Sequence, residues 1–77
     1  MKALVWSRDA CGYCDSAKTL LKQKGIEFEE RKIGNGWTKE QLLESVPTAK
    51  TVPQIYLDGK YIGGYTELKK YFDTQEG

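Results

Sequence analysis

The stretch RDACGYCDSA, Arg8 to Ala17, carries both cysteines of a 77-residue chain that has no histidine. Cys11 and Cys14 stand three positions apart, too close to staple distant parts of a fold. Closing so small a loop removes only about 2 kcal/mol of chain entropy from the unfolded state. A zinc site takes four ligands, and two cysteines without histidine supply half of them; carboxylates or a second chain would have to complete it. The chemistry left is thiol–disulfide exchange, and it carries a structural condition. The pair must lie where a strand runs into a helix.

The flanking sequence meets that condition. Ala3 to Ser7 (ALVWS) is an apolar run of strand length, with Val and Trp favouring a strand. After the motif, Cys14, Ala17, Leu20 and Leu21 recur at helical spacing, while Asp15, Lys18 and Lys22 fall elsewhere. The helix is expected to stop at Gly25. With Gly25 as a left-handed C′ residue, Ile26 meets Leu21 in a Schellman end. Glu27 to Ile33 reads as a second strand, charged enough to predict a sheet edge. Gly34-Asn35-Gly36 is a turn cluster. Thr38 and Gln41 fit a capping box, and Trp37 with Leu42 fits its hydrophobic staple, which predicts a second helix from Lys39 to Val46. Pro53 opens a third strand, Gln54 to Leu57. Asp58-Gly59 is a hairpin turn, Lys60 to Gly63 is the returning strand, and Gly63-Gly64 ends it. A last helix is expected over Thr66 to Phe72, followed by a polar tail, Asp73 to Gly77, expected to fray.

The order β-α-β-α-β-β-α predicts the α/β class. Its first βαβ unit is expected to be parallel and right-handed, and its hairpin antiparallel. That is the thioredoxin fold in its minimal form, a four-stranded mixed sheet with three helices, expected as one domain over residues 1–77. A chain of this length buries about 60% or a little more of its unfolded surface, enough for one modest core. Twelve basic against eleven acidic side chains leave a net charge of +1. That balance lacks the surplus that draws nucleic acid or an anionic membrane. The apolar run of MKALVWSRD is broken by Ser7, Arg8 and Asp9, so no signal peptide is expected. No stretch reaches transmembrane length. The expected location is the cytoplasm, where thiols stay reduced unless they are working.

With those landmarks in order, the sequence resembles the glutaredoxin family along nearly its whole length: CGYC at Cys11 to Cys14, TVP at Thr51 to Pro53, IGG at Ile62 to Gly64, and the helix that follows. The resemblance implies an oxidoreductase that reduces protein disulfides and glutathione mixed disulfides, with glutathione as electron donor. It implies disulfide-containing partners such as ribonucleotide reductase, action as a monomer, and no resident metal. It also implies a cis bond before Pro53, with the proline facing the active cysteine. Two other readings stay open. One is a redoxin dedicated to ribonucleotide reductase and recharged by thioredoxin reductase; that family ends its sheet with an aromatic-Ser-Gly-Phe pattern, and IGGYTEL argues against it. The other is a dimer holding a [2Fe–2S] cluster through Cys11 and glutathione, for which Gly12 would leave room.

Each landmark has a physical reading beside the resemblance. Cys11, at the helix start, is expected to be the nucleophile, because unpaired N–H groups and the helix dipole favour its thiolate. Arg8 adds a cation, partly opposed by Asp9 and Asp15. Cys14, one turn on and on the apolar face, suits a resolving thiol. Tyr13 points outward and is a candidate groove residue. The backbone of Val52 beside Thr51 and Pro53 is a candidate site for strand addition by an extended peptide. Gly64, Tyr65 and Thr66 precede or open a helix whose first N–H groups suit a carboxylate, the γ-glutamyl carboxylate by the resemblance. Glu67 stands where family members commonly have aspartate. Lys50 and Arg8 are candidates for the glycine carboxylate of glutathione.

Overall fold

A computed structural model describes residues 1–76, with side chains through Thr74. The elements are β1 (Lys2–Arg8), α1 (Gly12–Gln23), β2 (Glu27–Ile33), α2 (Lys39–Ser45), β3 (Gln54–Leu57), β4 (Lys60–Gly63) and α3 (Tyr65–Glu76). They form a four-stranded sheet in the order β2-β1-β3-β4. β1 runs parallel to β2 and antiparallel to β3, and β3–β4 is an antiparallel hairpin. This is the expected mixed sheet with three helices, and the charged β2 does lie at an edge.

Alternation along β1 sorts the molecule into two layers. Successive strand side chains point to opposite faces. Ala3 and Val5 go to one face, where they join Ala17 and Leu21 of α1, Ile55 and Leu57 of β3, and Leu68 and Phe72 of α3. Trp6 goes to the other face, where it packs with Leu42 and Val46 under α2, with Trp37, Val52 and Tyr56 around them. Arg31 lies over both indole rings, its guanidinium carbon 5.2 Å from the Trp6 centroid and 4.4 Å from that of Trp37.

Helix ends follow their local chemistry. Gly25 takes φ +71°. Its N–H donates to the Lys22 carbonyl at 3.1 Å and that of Ile26 to the Leu21 carbonyl at 2.9 Å, the two bonds of a Schellman end. At α2 the Thr38 hydroxyl accepts from the Gln41 N–H, and the Gln41 side chain accepts from the Thr38 N–H. α2 stops at Ser45, with Val46 as its C-cap. α3 corrects the expectation at both ends: it begins at Tyr65, and Asp73 to Glu76 continue the helix rather than fray. Only Gly77 of the expected tail lies outside the described residues. The early start follows from Glu67, whose carboxylate reaches back to accept the Gly64 N–H at 3.3 Å. Gly63 makes that possible. Its φ is +126°, and a Cβ there would stand 3.0 Å from Glu67 Cβ and Cγ.

A polar group sits inside the α1 layer. The fully buried Ser7 hydroxyl donates to Glu30 Oε2 at 2.6 Å, and Lys18 Nζ donates to the same oxygen at 2.8 Å. These bonds, that from Lys18 first, hold the Glu30 carboxyl below its usual range against the opposing effect of burial. Glu30 in turn raises Lys18 above its usual value. The stabilisation from Glu30 is therefore present above the unfolded carboxylate pKa and lost as pH falls through the lower folded value. That from Lys18 is complete below its unfolded pKa and lost as pH rises through its raised one. Glu30→Gln is predicted to cost about 1–2 kcal/mol at neutral pH, the worth of a charge-assisted bond with a partly exposed partner. The difference from the parent chain should close below about pH 4. Urea denaturation at a series of pH values checks this; a constant difference down to pH 3 would refute it.

Candidate active site

Cys11 is the N-cap of α1. Its backbone is extended, at φ −116° and ψ 104°, and its sulfur accepts the Cys14 N–H at 3.2 Å. A residue in that conformation ends the strand-side approach and aims its side chain across the first helical turn. Cys11 and Cys14 are joined as a disulfide, with their Cα atoms 5.2 Å apart. Cys11 keeps 9% of its surface exposed and Cys14 1%. The asymmetry anticipated from helical spacing is there: Cys14 shares the buried face of α1 with Ala17 and Leu21. Attack from outside reaches Cys11 first.

The local electrostatics also favour Cys11. A sulfur at this position faces the unpaired N–H groups and positive dipole end of a twelve-residue helix. The two aspartates expected to oppose Arg8 are both engaged by lysines, Asp9 by Lys32 at 3.0 Å and Asp15 by Lys18 at 3.4 Å. Their charge at the thiol is correspondingly offset.

The Val52–Pro53 peptide bond is cis, and the Val52 carbonyl oxygen lies 3.9 Å from Cys11 Sγ. Among the described residues the Val52 N–H has no hydrogen-bond partner. A free N–H on a backbone segment next to Cys11 Sγ offers an edge for strand addition.

Two clefts meet at this edge. The smaller, about 180 Å³, is bordered by Tyr13, Thr51, Val52, Pro53, Gly64, Tyr65, Thr66 and Glu67. Tyr13, 67% exposed, stacks on Tyr65 with ring centroids 6.0 Å apart and forms its outer wall. The larger, about 600 Å³, lies on the α2 side and contains Arg8, Cys11, Tyr13, Lys50, Thr51 and Val52 in its lining. Every residue singled out from the sequence borders one cleft or the other except Cys14, which lies buried behind Cys11. Lys50 and Arg8 stand on the α2 side, and Glu67 borders the small cleft while capping α3. The sequence did not point to the rest of the large cleft: Ala10, Ile33, Lys39, Leu42, Leu43 and Ala49. The Leu42-Leu43 pair was the available signal, because a short helix buries only one of two adjacent leucines.

Among the described residues no group of three or more His, Cys, Asp or Glu side chains is placed to hold a metal ion. A cluster at Cys11 would draw its remaining ligands from outside this chain.

The fold and the strand-to-helix cysteine pair agree with what sequence and structure comparison finds. A family model described as Glutaredoxin matches residues 3–62. Glutaredoxin 3 of Escherichia coli K12 is 38% identical over 65 residues, 83% of this chain and 77% of that protein. The hybrid peroxiredoxin hyPrx5 of Haemophilus influenzae is 40% identical over 68 residues, 88% of this chain but only 28% of that longer protein. The crystal structure of a buckwheat glutaredoxin–glutathione complex superposes with a TM-score of 0.78 at 28% identity, covering 95% of this chain and 70% of that one. With the family model spanning well over half of its length, and with its CGYC pair at the head of α1, this chain belongs to the glutaredoxin family.

Proposed function

We propose that this chain is a glutathione-dependent thiol–disulfide oxidoreductase, acting as a cytoplasmic monomer on protein disulfides, that of ribonucleotide reductase among them, and on glutathione mixed disulfides. The observation that carries the reading is the unpartnered Val52 N–H on a segment whose carbonyl faces Cys11 Sγ. A cysteine-containing tripeptide laid antiparallel along Val52 brings its own sulfur to Cys11. Its γ-glutamyl carboxylate then falls at the first N–H groups of α3, at Tyr65 and Thr66, and its glycine carboxylate toward Arg8 and Lys50. The buckwheat relative, solved with glutathione, supports that choice of tripeptide.

The chemistry follows from the order of access. With a glutathione mixed disulfide, the Cys11 thiolate attacks the glutathione sulfur, the old S–S bond breaks, and the protein thiolate leaves and takes a proton. A second glutathione then attacks the Cys11–glutathione bond, releasing oxidised glutathione and restoring the Cys11 thiolate. With a protein disulfide, Cys11 forms a mixed disulfide with one substrate cysteine. Cys14 attacks Cys11, releasing the substrate as a dithiol and leaving the Cys11–Cys14 disulfide for two glutathiones to reduce.

A second reading rests on one observation. A Cβ added at Gly12 would meet nothing within 4 Å, so the surface at Gly12, next to Cys11 in the chain, is clear for a second chain. In that reading two chains share a [2Fe–2S] cluster, each giving one Cys11 thiolate, with glutathione thiolates completing the four sulfur ligands.

The deciding experiment supplies a glutathione mixed disulfide with glutathione and its reductase. Turnover is expected, together with recharging by glutathione far faster than by thioredoxin reductase; efficient recharging by the reductase and none by glutathione would sink the proposal. Cys11→Ser is predicted to abolish both activities. Cys14→Ser should lose dithiol reduction of protein disulfides, by at least about a hundredfold, and keep deglutathionylation. Equal losses in the two variants would refute the division of roles. Anaerobic reconstitution with iron, sulfide and glutathione is expected to leave a colourless, active monomer; a coloured dimer would establish the second reading.

A further inference from the structure

The larger cleft holds more than glutathione can use. Glutathione offers two carboxylates, an amine and one thiol, and no bulky apolar side chain. The wall of this cleft away from Cys11 is apolar: Ile33 at the end of β2, Leu42 and Leu43 of α2, and Ala49. Leu42 is buried in the second core layer, whereas Ile33, Leu43 and Ala49 are half-exposed. The rim carries three cations, Arg8, Lys39 and Lys50, and no acidic side chain lines the cleft. An apolar floor with a one-signed rim fits a polypeptide segment that carries both features together.

We propose that this groove docks the polypeptide flank of a disulfide substrate, selecting a segment in which a bulky apolar residue and an acidic residue lie close to the attacked cysteine. The apolar side chain settles between Ile33 and Leu43, and the acidic one pairs with the Lys39 side of the rim. The inference rests on the proposed reductase activity and names its protein substrates by chemistry. It also separates the two half-reactions. The polypeptide occupies the groove while Cys11 and Cys14 reduce its disulfide; once it has left as a dithiol, glutathione enters along Val52 and recharges the pair. Both steps balance as written above, with glutathione as the reductant.

The test uses the full chain, reduced beforehand with dithiothreitol and freed of it, in single-turnover mixing with three cyclic disulfide peptides. One carries Leu-Glu beside its cysteine, one Leu-Lys and one Ser-Glu. The Leu-Glu peptide is expected to react at least about tenfold faster than either of the others, and its advantage over Leu-Lys should shrink at high salt. Leu43→Ser and Lys39→Glu remove the floor and the rim charge separately. Lys39 opens α2, where an acidic residue is tolerated, so at least that variant keeps its fold. Each variant is expected to lower the ratio of the Leu-Glu peptide rate to the rate with a small glutathione mixed disulfide by about fivefold or more. Equal rates for the three peptides, or variants that leave the ratio unchanged, would overturn the proposal. Because the protein is reduced chemically, failure of glutathione to recharge it would count against the proposed donor and leave the peptide ranking readable.

Discussion

The hydrogen bond from the Cys14 N–H to Cys11 Sγ fixes the rest of the site. It makes a sulfur the cap of α1, a position ordinarily filled by an oxygen side chain. In the reduced protein the same N–H meets a thiolate, and a charge-assisted bond is roughly twice as strong as a neutral one. The helix thus favours the state of Cys11 that reacts. Cys14 itself lies one turn into the helix on its buried face, so the cap and the helix spacing together give the two thiols different exposures.

That cap works only because of what lies on both sides of β1. The odd positions, Ala3 and Val5, anchor the face on which α1 and α3 pack. Trp6 anchors the opposite face with Leu42 and Val46. Cys14 belongs to the buried face of α1, whereas Val52, the backbone partner of Cys11, packs in the Trp6 layer. Cys11 Sγ therefore stands where the two layers meet at one end of β1. Shifting the register of β1 by one residue would exchange the faces and dismantle both layers together.

Much of this was legible in the sequence because it is local. The Schellman end at Gly25, the capping box at Thr38 and Gln41, and the Asp58-Gly59 hairpin each depend on residues within about six positions, and each forms as the residue types require. Two features were not legible. Ser7, Lys18 and Glu30 come together from β1, α1 and β2, up to 23 residues apart, and the sequence gives no sign that the charged second strand turns one carboxylate inward. The large cleft is another such case, because which of Leu42 and Leu43 faces the core depends on how α2 is rotated against Trp6. α3 departs from its expected start for a nearer reason. Glu67 reaches back to the Gly64 N–H and so starts the helix one residue early, a contact that residue type alone does not announce.

That bond bears on how the two clefts divide their work. Glu67 places a carboxylate oxygen at the N-terminus of α3, beside the N–H groups that the reading of the small cleft reserves for an incoming carboxylate. Two anions at one helix end repel, but Glu67 is bonded only to the Gly64 N–H, one of four unpaired donors at a helix start. In the proposed function the N–H groups of Tyr65 and Thr66 remain for the γ-glutamyl carboxylate, and the Glu67 oxygen would suit the ammonium group that a γ-glutamyl end carries next to it. A plain peptide carboxylate has no such ammonium and meets Glu67 unscreened. On the proposed function the small cleft therefore favours an amino-acid-like end, with both charges on one carbon. The large cleft, lined by three cations and several apolar side chains and by no acidic one, favours anionic and apolar groups. In the proposed function glutathione spans both clefts, while the flank of a polypeptide substrate uses the larger one, so the same disulfide is reached from either side.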